Sequence, residues 1–237
     1  MSAPRWRELS KYSACDLADA LLKLKVPGAG FLADIKPAPH TADVSKPIPS
    51  KVLAPASTFY MISKASPSFP SPRAMPESIP ESNLVDGTPY ADYTQTDTVV
   101  VISQPPGQSC AVVGGIMAAR MEHLGAQGVV VDGRVRDLVS LSELNLPVWA
   151  KGTSIIGAGA ETKFHARNVP VQIGAVSVAP GDIIMIDPSE NGVVSVPQAL
   201  VDDVLELLPQ LVGADEKVIA DVETGVSVKE AFQRHRG

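Results

Sequence analysis

The stretch at residues 113–143, VGGIMAARMEHLGAQGVVVDGRVRDLVSLSE, constrains the fold most, because it changes from helical to strand periodicity within one short span. Gly114 and Gly115 carry no side chain, so the backbone there can approach a neighbour or a ligand closely. Behind them Ile116, Met117, Ala119, Arg120, His123 and Leu124 recur at helical spacing. The first N–H groups of that helix have no intrahelical acceptor and point back toward the glycines, a ready cradle for a carboxylate or phosphate. Gly128, Val129, Val130 and Val131 then form an apolar run of strand length, and Asp132-Gly133 reads as the turn that closes it. Arg136-Asp137 follows at the C-terminal end of the strand, the edge at which open α/β sheets hold ligands. The plainer alternatives are a tight turn before a helix and a solvated ion pair on a loop.

Around this centre the chain alternates. Ser13 reads as an N-cap with Asp16 three residues on, opening a helix whose apolar face is Leu17, Ala20, Leu21 and Leu24 and which ends near Pro27-Gly28. Residues 51–62 carry a strand pattern interrupted at Pro55, consistent with an edge or a bulge. Residues 66–93 are rich in proline and serine and too poor in apolar residues to bury a core, so they read as a loop insertion. Residues 98–103 resume as a buried strand, and residues 138–144 and 147–150 as a short helix and another strand. The Gly157-Ala158-Gly159 run lacks a third glycine and a following helix, so it is not a dinucleotide loop. Between 169 and 196 three more strand-like runs are separated by hairpin-type turns at Pro180-Gly181-Asp182 and at 189–192. Residues 198–212 form an amphipathic helix, and a second helical stretch at 214–232 breaks at Gly225. The order predicts a mixed α/β sandwich and not the strict βαβ alternation of a doubly wound sheet.

Composition bounds the function. At 237 residues the chain fits one domain with an elaborated edge, and its net charge of −6 offers no basic surface to a nucleic acid. The apolar runs are strand-sized, too short to span a membrane, and residues 1–16 lack the apolar core of a secretory signal. Cys15 and Cys110 suggest neither a zinc site nor a disulfide, which points to a reducing, cytoplasmic setting. His40, His123, His165 and His235 show no ligand spacing, and His123 reads as a packed histidine within the apolar helix. No serine or cysteine lies in a nucleophile elbow, so covalent hydrolysis is not indicated.

The Gly114-Gly115-Ile116-Met117 run, the twenty residues separating Gly115 from Arg136, and the block from Gly128 to Asp137 resemble the RraA-like family. That family includes bacterial regulators of ribonuclease E activity and the class II 4-hydroxy-4-methyl-2-oxoglutarate aldolases. The resemblance extends to residues 12–21, 180–182 and 191–197, and so covers most of the chain outside the insertion. It implies one domain over residues 1–237, a swivelling β/β/α-type sandwich with mixed sheets, assembled as a homotrimer or a hexamer with sites at subunit boundaries. It further implies Mg²⁺ or Mn²⁺ held near Asp137, Arg136 on the keto oxygen of a 2-oxo acid, and the amides of Gly114, Gly115, Ile116 and Met117 on its carboxylate. A glutamate from a neighbouring subunit is also implied, with Glu216 as the candidate.

One departure bears on the chemistry. Active members of the family carry an aspartate where this chain has Gly115, a glycine pair that resembles fungal members. Cleaving a C–C bond beside a hydroxyl needs a base for that hydroxyl, whereas decarboxylation needs chiefly a stabilised enolate, with Asp132 or Asp137 as substitute acid/base. Three readings stand: a metal-dependent lyase favouring oxaloacetate-type decarboxylation over retro-aldol cleavage, a non-catalytic interaction protein, or a pathway-specific lyase whose larger substrate fills the room left by Gly115.

Overall fold

In the computed structural model, which describes residues 4–38, 50–65, 79–85 and 87–236, helix α1 (Ala14–Lys23) begins where its cap requires. The Ser13 side chain accepts the Asp16 N–H at 3.1 Å, and the Asp16 carboxylate accepts the Ser13 N–H at 2.8 Å. Such a reciprocal cap is worth about 1 kcal/mol. The buried Asp187 carboxylate also accepts the Ala14 N–H at 3.0 Å, which ties the helix to the sheet beneath it.

The remaining elements are β1 (Lys36–Pro37), β2 (Val52–Ser63), β3 (Val99–Ser103), α2 (Gly115–His123), β4 (Gly128–Val135), α3 (Leu138–Ser142), β5 (Val148–Thr153), β6 (Thr162–Arg167), β7 (Val171–Ile173), β8 (Val176–Val178), β9 (Ile183–Asp187), β10 (Gly192–Val196), α4 (Val201–Glu223) and α5 (Val228–His235). The main sheet runs β1-β5-β4-β3-β2-β9-β10, with β6 also on β2 and β7–β8 forming a separate pair. Strands β2 to β5 pair in parallel, and the other pairings are antiparallel.

Strand alternation sorts the side chains into layers. Val99, Val101 and Val130 face inward, with Ile184, Ile186 and Val193 of the β9–β10 hairpin and the β7–β8 pair, to form the core between the layers. Val100, Ile102, Val129 and Val131 face outward against α2 and α3. Ile183, Met185, Val194 and Val196 face the other way, against α1 and α4. The molecule is thus a mixed α/β sandwich with a helical layer on each outer face.

Several local expectations change. Pro55 marks no edge: β2 pairs with β9 through Pro55 and then with β3 from Ala56 onward, so the residue without an N–H stands where the strand changes partners. Asp132-Gly133 is no turn either, since β4 continues to Val135 through a bulge between Val131 and Arg134. A Cβ on Gly133 would lie 2.1 Å from Gln104 Oε1, so a long-range contact explains that glycine. The buried face of α2 is Gly115, Ala118 and Met121, which leaves Ile116 and His123 exposed. The Pro180-Gly181-Asp182 turn leads into β9 without making a hairpin, because β8 pairs with β7. Strands β6 and β8 are additions, one too polar and the other too short for a periodicity argument. The two expected C-terminal helices join as the 23-residue α4, which runs through Pro209 on its exposed side and ends before Gly225, at φ +96°. Cys110 is buried and Cys15 exposed, both as free thiols. His40, residues 66–78 and residue 86 of the insertion lie outside the described residues.

Candidate functional site

The end of β4 and the start of α2 meet because Val113 and Val135 bridge in parallel, with the Arg136 N–H donating to the Val113 carbonyl at 3.0 Å. That bridge carries Gly114, in extended backbone at φ −135°, alongside Arg136 and Asp137. The Gly115 N–H donates to Asp137 Oδ2 at 3.1 Å, and Arg136 Nε lies 3.8 Å from the same oxygen. The carboxylate therefore occupies the positive end of α2 beside a guanidinium.

The approach depends on glycine. A Cβ on Gly114 would lie 2.6 Å from Asp137 Oδ2 and 3.3 Å from Arg136 Nε, closer than side chains tolerate. Gly157 flanks the other end of Arg136, where a Cβ would lie 3.2 Å from Nη1. Its glycine thus makes room for the guanidinium, a role the dinucleotide comparison could not suggest. Asp137 itself adopts the left-handed region at φ 62°, as few non-glycine residues do. That conformation costs on the order of 1 kcal/mol and persists where surrounding contacts hold it, as the Gly115 amide does here. Both charged side chains remain about two-fifths exposed.

The structure therefore brings together Gly114, Gly115, Arg136 and Asp137, with Ile116 and Met117 in the adjoining first turn. It also narrows the expected amide cradle, because the Gly115 N–H is engaged by Asp137 and, among the described residues, the helix-start N–H groups left without an acceptor are those of Ile116 and Met117. Asp132 does not join this corner. It forms an ion pair with Lys151 on the inner side of the sheet, following the row of Val130. Glu216 is exposed on α4, in the opposite helical layer, so within one chain it is not delivered to the corner. Sequence reasoning missed Ser140, whose Cβ lies 2.8 Å from where a Gly115 Cβ would stand. The space into which an acid at 115 would project is filled by α3.

Among the described residues no three His, Cys, Asp or Glu side chains gather into a metal cage. A single carboxylate at an open corner nevertheless suits Mg²⁺ or Mn²⁺, which keep several waters and take one or two protein oxygens together with substrate oxygens. Asp137 fits that sparse role. The backbone leading into the corner is fixed from below: the N–H groups of Cys110 and Ser109 donate to Glu161 at 2.8 and 2.7 Å and hold its carboxyl below the usual carboxylate range. No helix among the described residues is long and apolar enough to cross a membrane.

Comparison with known proteins agrees with this architecture. A protein of Halalkalibacterium halodurans named "Putative 4-hydroxy-4-methyl-2-oxoglutarate aldolase" is 33% identical over 118 residues, 50% of this chain and 55% of that protein. A Bacillus cereus protein of the same name is 34% identical over 97 residues, 41% of this chain and 59% of its own. The chain thus spans little more than half the length of these curated relatives. Two solved structures share the fold: an uncharacterized protein from Pseudomonas syringae pv. tomato, with a TM-score of 0.69 at 24% identity over 96% of both chains, and Streptomyces coelicolor RraAS2, with 0.65 at 21% identity over 95% of this chain and 99% of its own. The sequence profile described as RraA-like, Aldolase/RraA, matches residues 14–195, and this chain belongs to the RraA-like family.

Proposed function

We propose that the protein is a divalent-metal-dependent lyase acting on a 2-oxo acid, with oxaloacetate-type decarboxylation favoured over retro-aldol cleavage. The observation that carries this reading is the single corner in which Asp137, Arg136 and the start of α2 converge, held by the 3.1 Å bond from the Gly115 N–H. Asp137 would hold Mg²⁺ or Mn²⁺, and the bound cation would supply positive charge against the 2-oxo oxygen. The Ile116 and Met117 amides would receive the substrate carboxylate, and Arg136 would face the keto oxygen. As the bond to the departing carboxylate breaks, its electron pair moves toward that oxygen and CO₂ leaves; water then returns a proton to carbon. Preorganised donors at a developing oxyanion typically contribute 10²–10³-fold.

The preference for decarboxylation rests on what surrounds Asp137. A retro-aldol step must take a proton from the substrate hydroxyl. Position 115 offers no carboxylate, Ser140 fills the space beside it, and Asp132 is paired with Lys151 elsewhere. The names of the relatives, which are those of an aldolase, support a lyase, and the preference for decarboxylation rests on the residues around Asp137 alone.

The corner is rimmed by exposed aliphatic residues adjoining its members in sequence: Ile116, Leu138, Val139, Ile155 and Ile156, of which Ile155 is 93% exposed. Aliphatic residues grouped around charges in this way suit burial against another protein surface. We read it as the contact between copies in a trimer or hexamer, which would close the site and bring a neighbour's acid to it, with Glu216 the candidate. The same rim favours a second reading, a regulator that binds another protein and performs no chemistry. Purified protein assayed with oxaloacetate, with Mg²⁺ or Mn²⁺ and with chelator, separates the two. Metal-dependent pyruvate release is expected. No release with either metal, or equal release from Arg136→Ala and Asp137→Ala, would overturn the lyase reading.

A further inference from the structure

A cavity of about 770 Å³ opens at the C-terminal ends of β3, β4 and β5, and none of Gly114, Gly115, Arg136 or Asp137 lines it. It belongs to the inner face of the parallel sheet. Asp132 continues the inward row of Val130, and Lys151 that of Trp149, so the Asp132–Lys151 ion pair stands where the core between the layers ends. The β7–β8 pair packs across this core, and Gln172 and Gly174 close the cavity from that side.

Its size falls within the range that takes small organic ligands, and such pockets are mostly apolar with a few placed polar groups. Here Ile62, Pro105 and Pro106 supply apolar wall. The charged lining is Lys151, Arg134 and Asp132, two cations against one carboxylate. Lys151 is paired with Asp132, while Arg134 is braced by backbone carbonyls, with Nη1 donating to Thr153 at 3.0 Å and Nε to Gln108 at 3.3 Å. Carbonyls orient a guanidinium without neutralising it, so the cavity retains positive charge in a chain of net charge −6. Gln104 keeps this geometry: it accepts the Arg134 N–H at 2.9 Å and donates to the Cys110 carbonyl at 2.8 Å, across the bulge that Gly133 permits.

We propose that this cavity is a second binding site, separate from the Arg136–Asp137 corner, for a small organic monoanion with an apolar body: a carboxylate on an aromatic ring or a short acyl chain. The carboxylate lies toward Lys151 and Arg134, and the apolar body lies along the Ile62–Pro105 side.

Benzoate and hexanoate test it by isothermal titration against the full chain, with benzamide and hexanamide as uncharged matches. The expected result is saturable binding of at least one carboxylate, at least tenfold tighter than its amide. Lys151→Gln weakens it at least tenfold, Lys151→Arg restores most of the loss, and Arg136→Ala binds as the unaltered protein does. Ser63→Phe, which puts an aromatic ring at a lining position outside the ion pair, abolishes binding while the circular dichroism stays native, so the test does not depend on how Lys151→Gln folds. Absence of saturable binding by both acids overturns the proposal. So do equal affinity for acid and amide, binding indifferent to Lys151→Gln and Ser63→Phe, or binding lost in Arg136→Ala.

Discussion

The two faces of one parallel sheet carry opposite kinds of candidate site. The outer corner is small, exposed and assembled from residues close in sequence: a glycine pair, one helix start and the two residues that end β4. The inner cavity is large and is drawn from distant segments, the ends of β2, β3, β4 and β5 and the tip of the β7–β8 pair. The corner presents its charge on an open surface; the cavity is half-open and sets apolar wall beside two cations and one carboxylate. Chemistry that develops an oxyanion needs placed charge, whereas retention of an apolar body needs walls, and under the two proposals strand alternation and the bulge in β4 divide these between opposite faces.

Turnover gives the largest test of that division. With oxaloacetate and Mg²⁺, Arg136→Ala and Asp137→Ala should each lower kcat by about 10²–10³-fold. A larger loss in Lys151→Gln than in Arg136→Ala, measured side by side, would move the chemistry to the inner cavity. Next comes Gly114→Ala, whose new methyl would meet Asp137 Oδ2 at 2.6 Å. Displacing that carboxylate by a fraction of an ångström should cost up to about 10²-fold in kcat. Unchanged steady-state kinetics would show that the carboxylate's position is unimportant.

A stability experiment sharpens the same contrast. Gly115→Asp places Cβ 2.8 Å from Ser140 Cβ, so it should destabilise the protein by about 1–3 kcal/mol in urea denaturation. Ser140→Gly in the same chain should recover most of that loss. Failure of the recovery would mean that α3 is not what excludes an acid there.

The smallest effect concerns Glu161, beneath the loop that leads from the cavity to the corner. The Cys110 and Ser109 amides depress its folded value, so its contribution is complete above its ordinary value of 4.5 and is lost as pH falls through the lower folded value. Thermal melts should therefore drop more steeply below pH 4.5 for the unaltered protein than for Glu161→Gln. Parallel curves would remove the clamp.

The outer corner was legible because its signals are local. The glycine pair, the helix behind it and Arg136-Asp137 occur in one run, and Ser13 with Asp16 marked α1 in the same way. The inner cavity was not, because no single segment carries it. Asp132-Gly133 has the composition of a turn, and only Gln104, distant in sequence, shows that it is a bulge. Packing against α1 and α5 likewise carries α4 through Gly213, where the sequence separated one helical stretch from the next. The face of α2 was misjudged for a related reason: the exposed Ile116 adjoins the corner and not the core, and periodicity does not distinguish the two.

Strand β2 also decides how the molecule can move. Its first half is laced to β9 and its second to β3 and β6, so the two walls of the sandwich share one covalent rod and cannot swing apart like the covers of a book. At Pro55 the rod lacks a donor, and beside it Ala56 is pinned by the Asp182 carbonyl at 2.7 Å and the Gly181 N–H at 2.9 Å. A load applied where residues 60–63 border the cavity is therefore passed lengthwise through that joint into the β9–β10 hairpin and the helix resting on it.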